Sequence, residues 1–236
     1  MKKIIVAIIA VMMISLLATA AMAAEVINVA SYTEVFTPVN EADAQMAVTV
    51  KGTAGEDGYM YIIAAAKGME PAAVTGENLA GTELEAYKNG SENYFRIAVA
   101  DPAAEATVEA TFNVPGFYAV SRAADTNGAE DYSLSYKFTN YLPSKIGKYS
   151  VMVYVPEGME IAKVSSPSKY ADYKLAELDG MRGAGNEKAL AAAAANTLTF
   201  TFDKAAGTMV NVLIWVVCLA IGAFVFIDRY KKATKE

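Results

Sequence analysis

Residues 107–114 read TVEATFNV. Laid out as an extended chain, Val108, Ala110, Phe112 and Val114 point one way, and Thr107, Glu109, Thr111 and Asn113 point the other. Alternation with period two is the mark of a strand with one buried face. The same pattern recurs further on. Residues 131–138 (DYSLSYKF) set Tyr132, Leu134, Tyr136 and Phe138 against Ser133, Ser135 and Lys137. Residues 197–202 (TLTFTF) set Leu198, Phe200 and Phe202 against three threonines. Residues 149–155 (YSVMVYV) are apolar on both sides, as a central strand requires. Phe95, Ile97 and Val99 give a further strand, and less regular ones are expected at 26–32, 46–51, 59–64, 117–121 and 161–164.

Turn residues fall between these runs. They include TAGEDG at 53–58, KNGS at 88–91, Pro115-Gly116, TNG at 126–128 and PEG at 156–158. Roughly nine or ten strands punctuated in this way predict a mainly β fold, an antiparallel β-sandwich of immunoglobulin-like or jelly-roll type. Two stretches break the pattern. Residues 168–181 (SKYADYKLAELDGM) carry a Ser at an N-cap position, good helix formers and Gly180 as a stop. Residues 186–195 (NEKALAAAAA) are alanine-rich. Both are expected to be short helices.

The two ends differ in kind from the middle. Residues 209–227 hold no charged side chain, and a helix of that length reaches roughly 28 Å, close to the hydrocarbon thickness of a bilayer. Asp228, Arg229, Lys231, Lys232 and Lys235 follow. Cations directly after an apolar span hold that end on the cytoplasmic side. At the other end Lys2 and Lys3 precede the apolar run 4–17, and Ala21-Met22-Ala23 offers small residues at a cleavage site, the layout of a secretory signal peptide. The expected organisation is a signal peptide at 1–23, an exterior β region at 24–207, a transmembrane helix at 208–227 and a basic cytoplasmic tail at 228–236. The exterior region is one domain or two modules, at about 24–120 and 121–207. The expected place is the cell membrane, crossed once, with the β region outside in a periplasm or the extracellular space.

Composition narrows the chemistry. The chain has no His, which removes Ser-His-Asp and Cys-His catalysis, His-ligated zinc, copper or haem, and any imidazole pH switch. Its one Cys, Cys218, lies in the apolar run, so the exterior region has no disulfide and rests on core burial. The full chain has a net charge of −6, and the middle is more acidic still, because cations concentrate at the two ends. An acidic exterior repels nucleic acid and suits basic proteins, cations or neutral polymers.

Candidate sites follow from what remains. Asp125, Asn127, Glu130 and Asp131 in DTNGAED place oxygen ligands around a Gly turn, as part of a calcium loop does, although the helix-loop-helix spacing is absent. A solvated turn is the alternative, and no other cofactor is implied. Tyrosines are dense between 132 and 173. Of these, Tyr154, Tyr170 and Tyr173 are the candidates for an exposed binding surface, whereas Tyr132 and Tyr136 share a face with Leu134 and Phe138 and belong to a core. Asn89-Gly90-Ser91 is a glycosylation sequon on a turn. No spacing singles out a pair of catalytic carboxylates. The expected function is therefore non-catalytic: a membrane-anchored surface protein that binds a protein or a surface polymer in a structural or adhesive role. Two alternatives stand beside it, an accessory subunit of a membrane complex and a glycan-binding or carbohydrate-active domain.

Overall fold

The computed structural model describes residues 28–118, 122–124, 130–204 and 216–219. The chain is mainly β, with several sheets in an arrangement consistent with a β-sandwich. The strands are β1 (Asn28–Pro38), β2 (Ala44–Thr53), β3 (Tyr59–Ile63), β4 (Glu70–Glu77), β5 (Glu85–Asn89), β6 (Glu92–Ala98) and β7 (Glu105–Val114). There follow β8 (Arg122–Ala124), β9 (Glu130–Thr139), β10 (Ile146–Tyr154), β11 (Met159–Ser166), β12 (Lys174–Leu178), β13 (Met181–Leu190) and β14 (Ala195–Lys204). The largest sheet has seven strands in the order β12-β13-β10-β1-β2-β7-β4. A four-stranded sheet runs β11-β14-β9-β8, and a three-stranded one runs β3-β6-β5.

The registers show which face of the large sheet is covered. Phe36 on β1 lies opposite Met46 on β2, which lies opposite Phe112 on β7. Residues directly opposite share a face, so these three side chains form one row. Phe36 meets Tyr136 of the four-stranded sheet at 4.9 Å between ring centroids, and Phe112 meets Phe95 of the three-stranded sheet at 5.0 Å. The two smaller sheets therefore lie over the same face. At the seam between them Tyr32 packs on Phe138 at 5.0 Å, and its hydroxyl accepts the Ile63 backbone N–H at 3.1 Å. The alternating residues of 107–114 stand as expected, with Val108, Ala110, Phe112 and Val114 buried. So do those of 131–138 and 197–202, where Leu134, Tyr136, Phe138, Leu198, Phe200 and Phe202 are buried.

Two expectations are corrected. The sheet is not wholly antiparallel, because β1 and β10 pair in parallel. A parallel neighbour must be reached by a long crossover, and here β2 to β9 lie between the two strands in the chain. Nor are 168–181 and 186–195 helices. The first holds a short 3-10 turn, Tyr170–Asp172, then β12 and the start of β13. Asp179 and Gly180 have φ of 50° and 83° and join β12 to β13 as a two-residue hairpin loop. Both positions in such a loop need positive φ, which Asp-Gly supplies. The signal that reads as a helix stop is thus a hairpin turn. In the second stretch, β13 pairs with β10 and the chain turns at 191–194 into β14. Alanine favours helix by only fractions of a kcal/mol per residue, and a segment this short is marginal as an isolated helix. Pairing with a central strand outweighs that preference.

Strands β4, β5 and β12 carry no alternation because they are edges with mostly exposed side chains. The segments read as signal peptide, 1–23, and cytoplasmic tail, 228–236, lie outside the described residues, as does most of the apolar run 208–227. Of that run, 216–219 are helical and exposed. Among the described residues no helix is long and apolar enough to cross a membrane.

Strand β13 tests how tightly the sheet is assembled. A Cβ added at Gly185 would stand 2.3 Å from the Val151 carbonyl oxygen, whereas one at Gly81 would meet nothing within 4 Å. Gly185→Leu is expected to cost roughly 2–3 kcal/mol by overpacking, and Gly81→Leu to cost far less. Thermal denaturation of the two variants beside the wild type checks this.

Candidate functional site

The three-stranded sheet carries an aromatic cluster. Tyr59 and Tyr61 come from β3, Tyr87 from β5, and Tyr94 and Arg96 from β6. Arg96 pairs with Tyr61 across the β3–β6 ladder and with Glu85 across the β5–β6 ladder. Its guanidinium donates two hydrogen bonds to Glu85, at 2.9 and 3.1 Å, and its Cζ stands 4.4 Å from the Tyr59 ring centre and 4.5 Å from that of Tyr87. The hydrogen bonds from Arg96 lower the Glu85 carboxyl below its usual range. Beside it, the Tyr61 hydroxyl donates to Asp57. Burial raises the Tyr61 hydroxyl pKa, and the Asp57 carboxylate raises it further.

A cleft of about 120 Å³ opens against this cluster, walled by Tyr61, Tyr87 and Tyr94 on one side and by Tyr141, Leu142 and Pro143 on the other, with Asn89 at the rim. The rings of Tyr61 and Tyr94 meet nearly at right angles, at 5.9 Å, and those of Tyr87 and Tyr94 at 44° and 6.3 Å. Tyr141 is 44% exposed. It comes from the loop between β9 and β10, far away in the chain. Two contacts hold that loop in place. The Tyr94 hydroxyl donates to the Tyr141 carbonyl at 3.2 Å. Buried Asn140 donates its amide to the carbonyls of Ser144, Leu190 and Ala191, at 2.9, 3.2 and 3.2 Å, and accepts the Leu142 N–H at 3.1 Å. The cleft is therefore built on paired strands and on a loop braced by a buried amide, which makes it preformed.

A second feature lies in the core. Glu34 sits between Tyr32 and Phe36 on the inward row of β1 and is fully buried. Its Oε2 accepts the Tyr149 hydroxyl at 2.6 Å and the Tyr136 hydroxyl at 2.9 Å, and its Oε1 has no hydrogen-bond partner. Burial raises the carboxyl to about 8, although both hydroxyls pull it down. A neutral acid in this place avoids the cost of an unpaired buried charge. With no exposure to solvent, Glu34 belongs to the packing between the sheets.

The sequence-derived candidates fall elsewhere. Tyr170 is 76% exposed, and its ring meets that of Tyr173 edge-on at 5.3 Å. Tyr154 is half-buried on β10 opposite Gly183, and its carbonyl accepts the Tyr118 hydroxyl. Its described contacts do not bring it to the other two. Asn89 ends β5 on an exposed two-residue turn, with Gly90 at φ 60°, so the sequon does lie on a turn, and at the cleft. Asp125 and Asn127 lie outside the described residues, and Glu130 and Asp131 begin β9. Among the described residues no group of three or more His, Cys, Asp or Glu is placed to hold a metal ion. The cleft tyrosines escape a sequence reading because they come from four separate segments. Residues 59–61 (YMY) are the one local hint.

No family model matches the chain, and no curated protein does. Solved structures with a related arrangement include an M1 zinc metallopeptidase from Deinococcus radiodurans, with a TM-score of 0.40 and 12% identity over 74% of this chain and 42% of that one. A putative protease from Parabacteroides distasonis gives 0.42 and 11% over 73% and 39%. A putative nutrient binding protein from Legionella pneumophila gives 0.39 and 11% over 75% and 67%. The chain thus spans less than half the length of the first two. Likeness at this level assigns neither a family nor an activity.

Two outcomes follow for the side chains described. Glu34 is held protonated, so its contribution to stability is full below about 4.5 and is lost as pH rises through about 8. Glu34→Gln removes the titration. The stability of that variant relative to wild type is expected to climb by roughly 3–5 kcal/mol between pH 5 and pH 9, measured by denaturant unfolding at each pH. Asn140→Ala leaves buried carbonyls without a donor and is expected to cost roughly 2–3 kcal/mol. It should also loosen Tyr141, read as faster amide exchange across 141–145.

Proposed function

We propose that the chain is a non-catalytic, exported β-sandwich protein, anchored in the membrane by residues 208–227, that binds a protein or a surface polymer in its tyrosine cleft. The observation that carries this reading is the preformed cleft between Tyr61, Tyr87, Tyr94 and Tyr141. Tyrosines present a broad apolar face with a polar tip and lose little freedom on binding, which suits recognition. The anchor and the outward orientation rest on the uncharged run 209–227 and the cations that close it. The acidic, His-free composition and the complete burial of Glu34 support a binding role over a catalytic one.

A second reading, an accessory subunit of a membrane complex, has its own observation. Strand β12 is an edge of the seven-stranded sheet, with Leu175 and Leu178 exposed, and it borders a groove of about 410 Å³ with Ile161, Glu160 and Arg182. An exposed edge can take an added strand from a partner.

Capture from source membranes with the full-length protein in mild detergent separates the two. The proposal expects a bound protein or polymer that is lost from the Tyr87→Ala, Tyr141→Ala double variant and kept by Leu175→Glu. The opposite pattern moves the function to the β12 edge and overturns the cleft as the site.

A further inference from the structure

Charge, size and hydrogen-bonding capacity at the cleft narrow what it can hold. The charged groups around it have partners within the chain. They include Glu92, whose carboxylate accepts the Ser91 hydroxyl at 2.8 Å. Burial raises the Tyr94 hydroxyl pKa, and the Glu92 carboxylate raises it further. Arg96 is tied to Glu85 and stacked between Tyr59 and Tyr87, and Asp57 takes the Tyr61 hydroxyl. Among the described residues no Asp, Glu, Lys or Arg lines the cleft itself. A charged ligand would lose water there without gaining a counter-charge. A neutral one meets no such cost.

The space, about 120 Å³, is well below that of a pocket for a drug-sized molecule and is of the order of a single ring. Its walls offer aromatic faces at different angles. Tyr94 and Tyr61 direct their hydroxyls to protein acceptors, whereas those of Tyr87 and Tyr141 make no hydrogen bond among the described residues. With the Asn89 amide they form a rim that both donates and accepts. An apolar C–H face to lie on a ring, with hydroxyls around its edge, is the chemistry of a pyranose. A proline ring offers the apolar face without the hydroxyl edge. Asn89 and Pro143 both line the cleft and are exposed, so the bound ring can belong to a longer chain.

We infer that the tyrosine cleft binds one neutral pyranose unit of a polysaccharide, stacked on Tyr87 and Tyr141 and hydrogen-bonded through their hydroxyls and Asn89. This rests on the reading of the cleft as the binding site and names its ligand class. The partner is an uncharged glycan chain, and no bond is made or broken.

The test is calorimetric titration of the full-length protein in a detergent without a sugar headgroup, since a glycosidic detergent would compete. The probes are cellohexaose, chitohexaose and mannohexaose, with oligogalacturonate as the charged sugar and decaproline as the peptide. Saturable binding of at least one neutral hexasaccharide is expected. Tyr87→Ala and Tyr141→Ala should each weaken it roughly tenfold, a loss of about 1.4 kcal/mol. Tyr87→Phe should retain more affinity than Tyr87→Ala, which separates ring stacking from the hydroxyl. Tyr170→Ala, on the other side of the chain's tyrosine-rich stretch, should leave binding unchanged. Tighter binding of oligogalacturonate than of any neutral sugar overturns the charge argument. Decaproline bound in place of every sugar, and lost in the same variants, overturns the glycan and leaves the cleft as a binding site for protein. No binding of any probe overturns the inference, and the capture experiment above then decides whether the cleft binds anything.

Discussion

Strand β1 hydrogen-bonds β10 on one side and β2 on the other, and its inward row runs Tyr32, Glu34, Phe36. This row makes contacts to both of the smaller sheets. Tyr32 reaches Phe138 of the four-stranded sheet and Ile63 of the three-stranded one. Phe36 stacks on Phe117 at 4.3 Å and meets Tyr136 edge-on. The parallel partner, β10, then carries β13 and β12, so three of the seven strands of the large sheet are reached only through this pairing. A central strand buried on one face by two different sheets must be specified on that whole face, and a slip of one residue would turn Tyr32, Glu34 and Phe36 outward.

The acid in this row is informative about how the core is made specific. Glu34 is ringed by tyrosines, and Phe138 and Tyr149 stack at 4.3 Å beside it. An apolar side chain of similar size would bury as well, but it would not demand that two hydroxyls from two sheets converge on one oxygen. Tyr136 belongs to β9 and Tyr149 to β10. Their meeting at Glu34 fixes how the four-stranded sheet sits on the large one. Amides do similar work elsewhere. Asn186 and Asn196 bond each other reciprocally at 2.7 and 3.1 Å between β13 and β14. Asn140 ties the β9–β10 loop to the β13–β14 turn. That last contact bears on the cleft, because the same loop delivers Tyr141, Leu142 and Pro143 to it. The cleft is thus tied to the core through buried Asn140 as well as through Tyr94 and Leu142.

Much of the strand content was legible along the chain. Residues 107–114, 131–138 and 197–202 alternate because each has one face on the core and one in water, and that difference is written into consecutive side chains. The edge strands β4, β5 and β12 were not legible, since an exposed strand has no buried face to mark it. Glu34 was passed over for a related reason: a charged residue type on an inward row reads as an interruption until its partners, more than a hundred positions away in sequence, are known.

What the sequence by itself determined is local and compositional. It set the β-rich class through period-two alternation, the absence of imidazole and of any thiol but Cys218 through residue counts, and the apolar and basic character of the ends through runs of neighbours. Tertiary structure decided whether 168–181 and 186–195 became helix or strand, because β13 is held by the remote strand β10 and β12 is held in turn by β13, and ladder formation outweighs a preference of tenths of a kcal/mol per residue. It also decided which tyrosines converge. Tyr154, Tyr170 and Tyr173 are near one another in the chain, yet the residues that make a cleft are Tyr61, Tyr87, Tyr94 and Tyr141, gathered from three strands and a loop. A binding surface depends on which side chains converge, and convergence is a property of strand pairing and loop anchoring that residue order does not display.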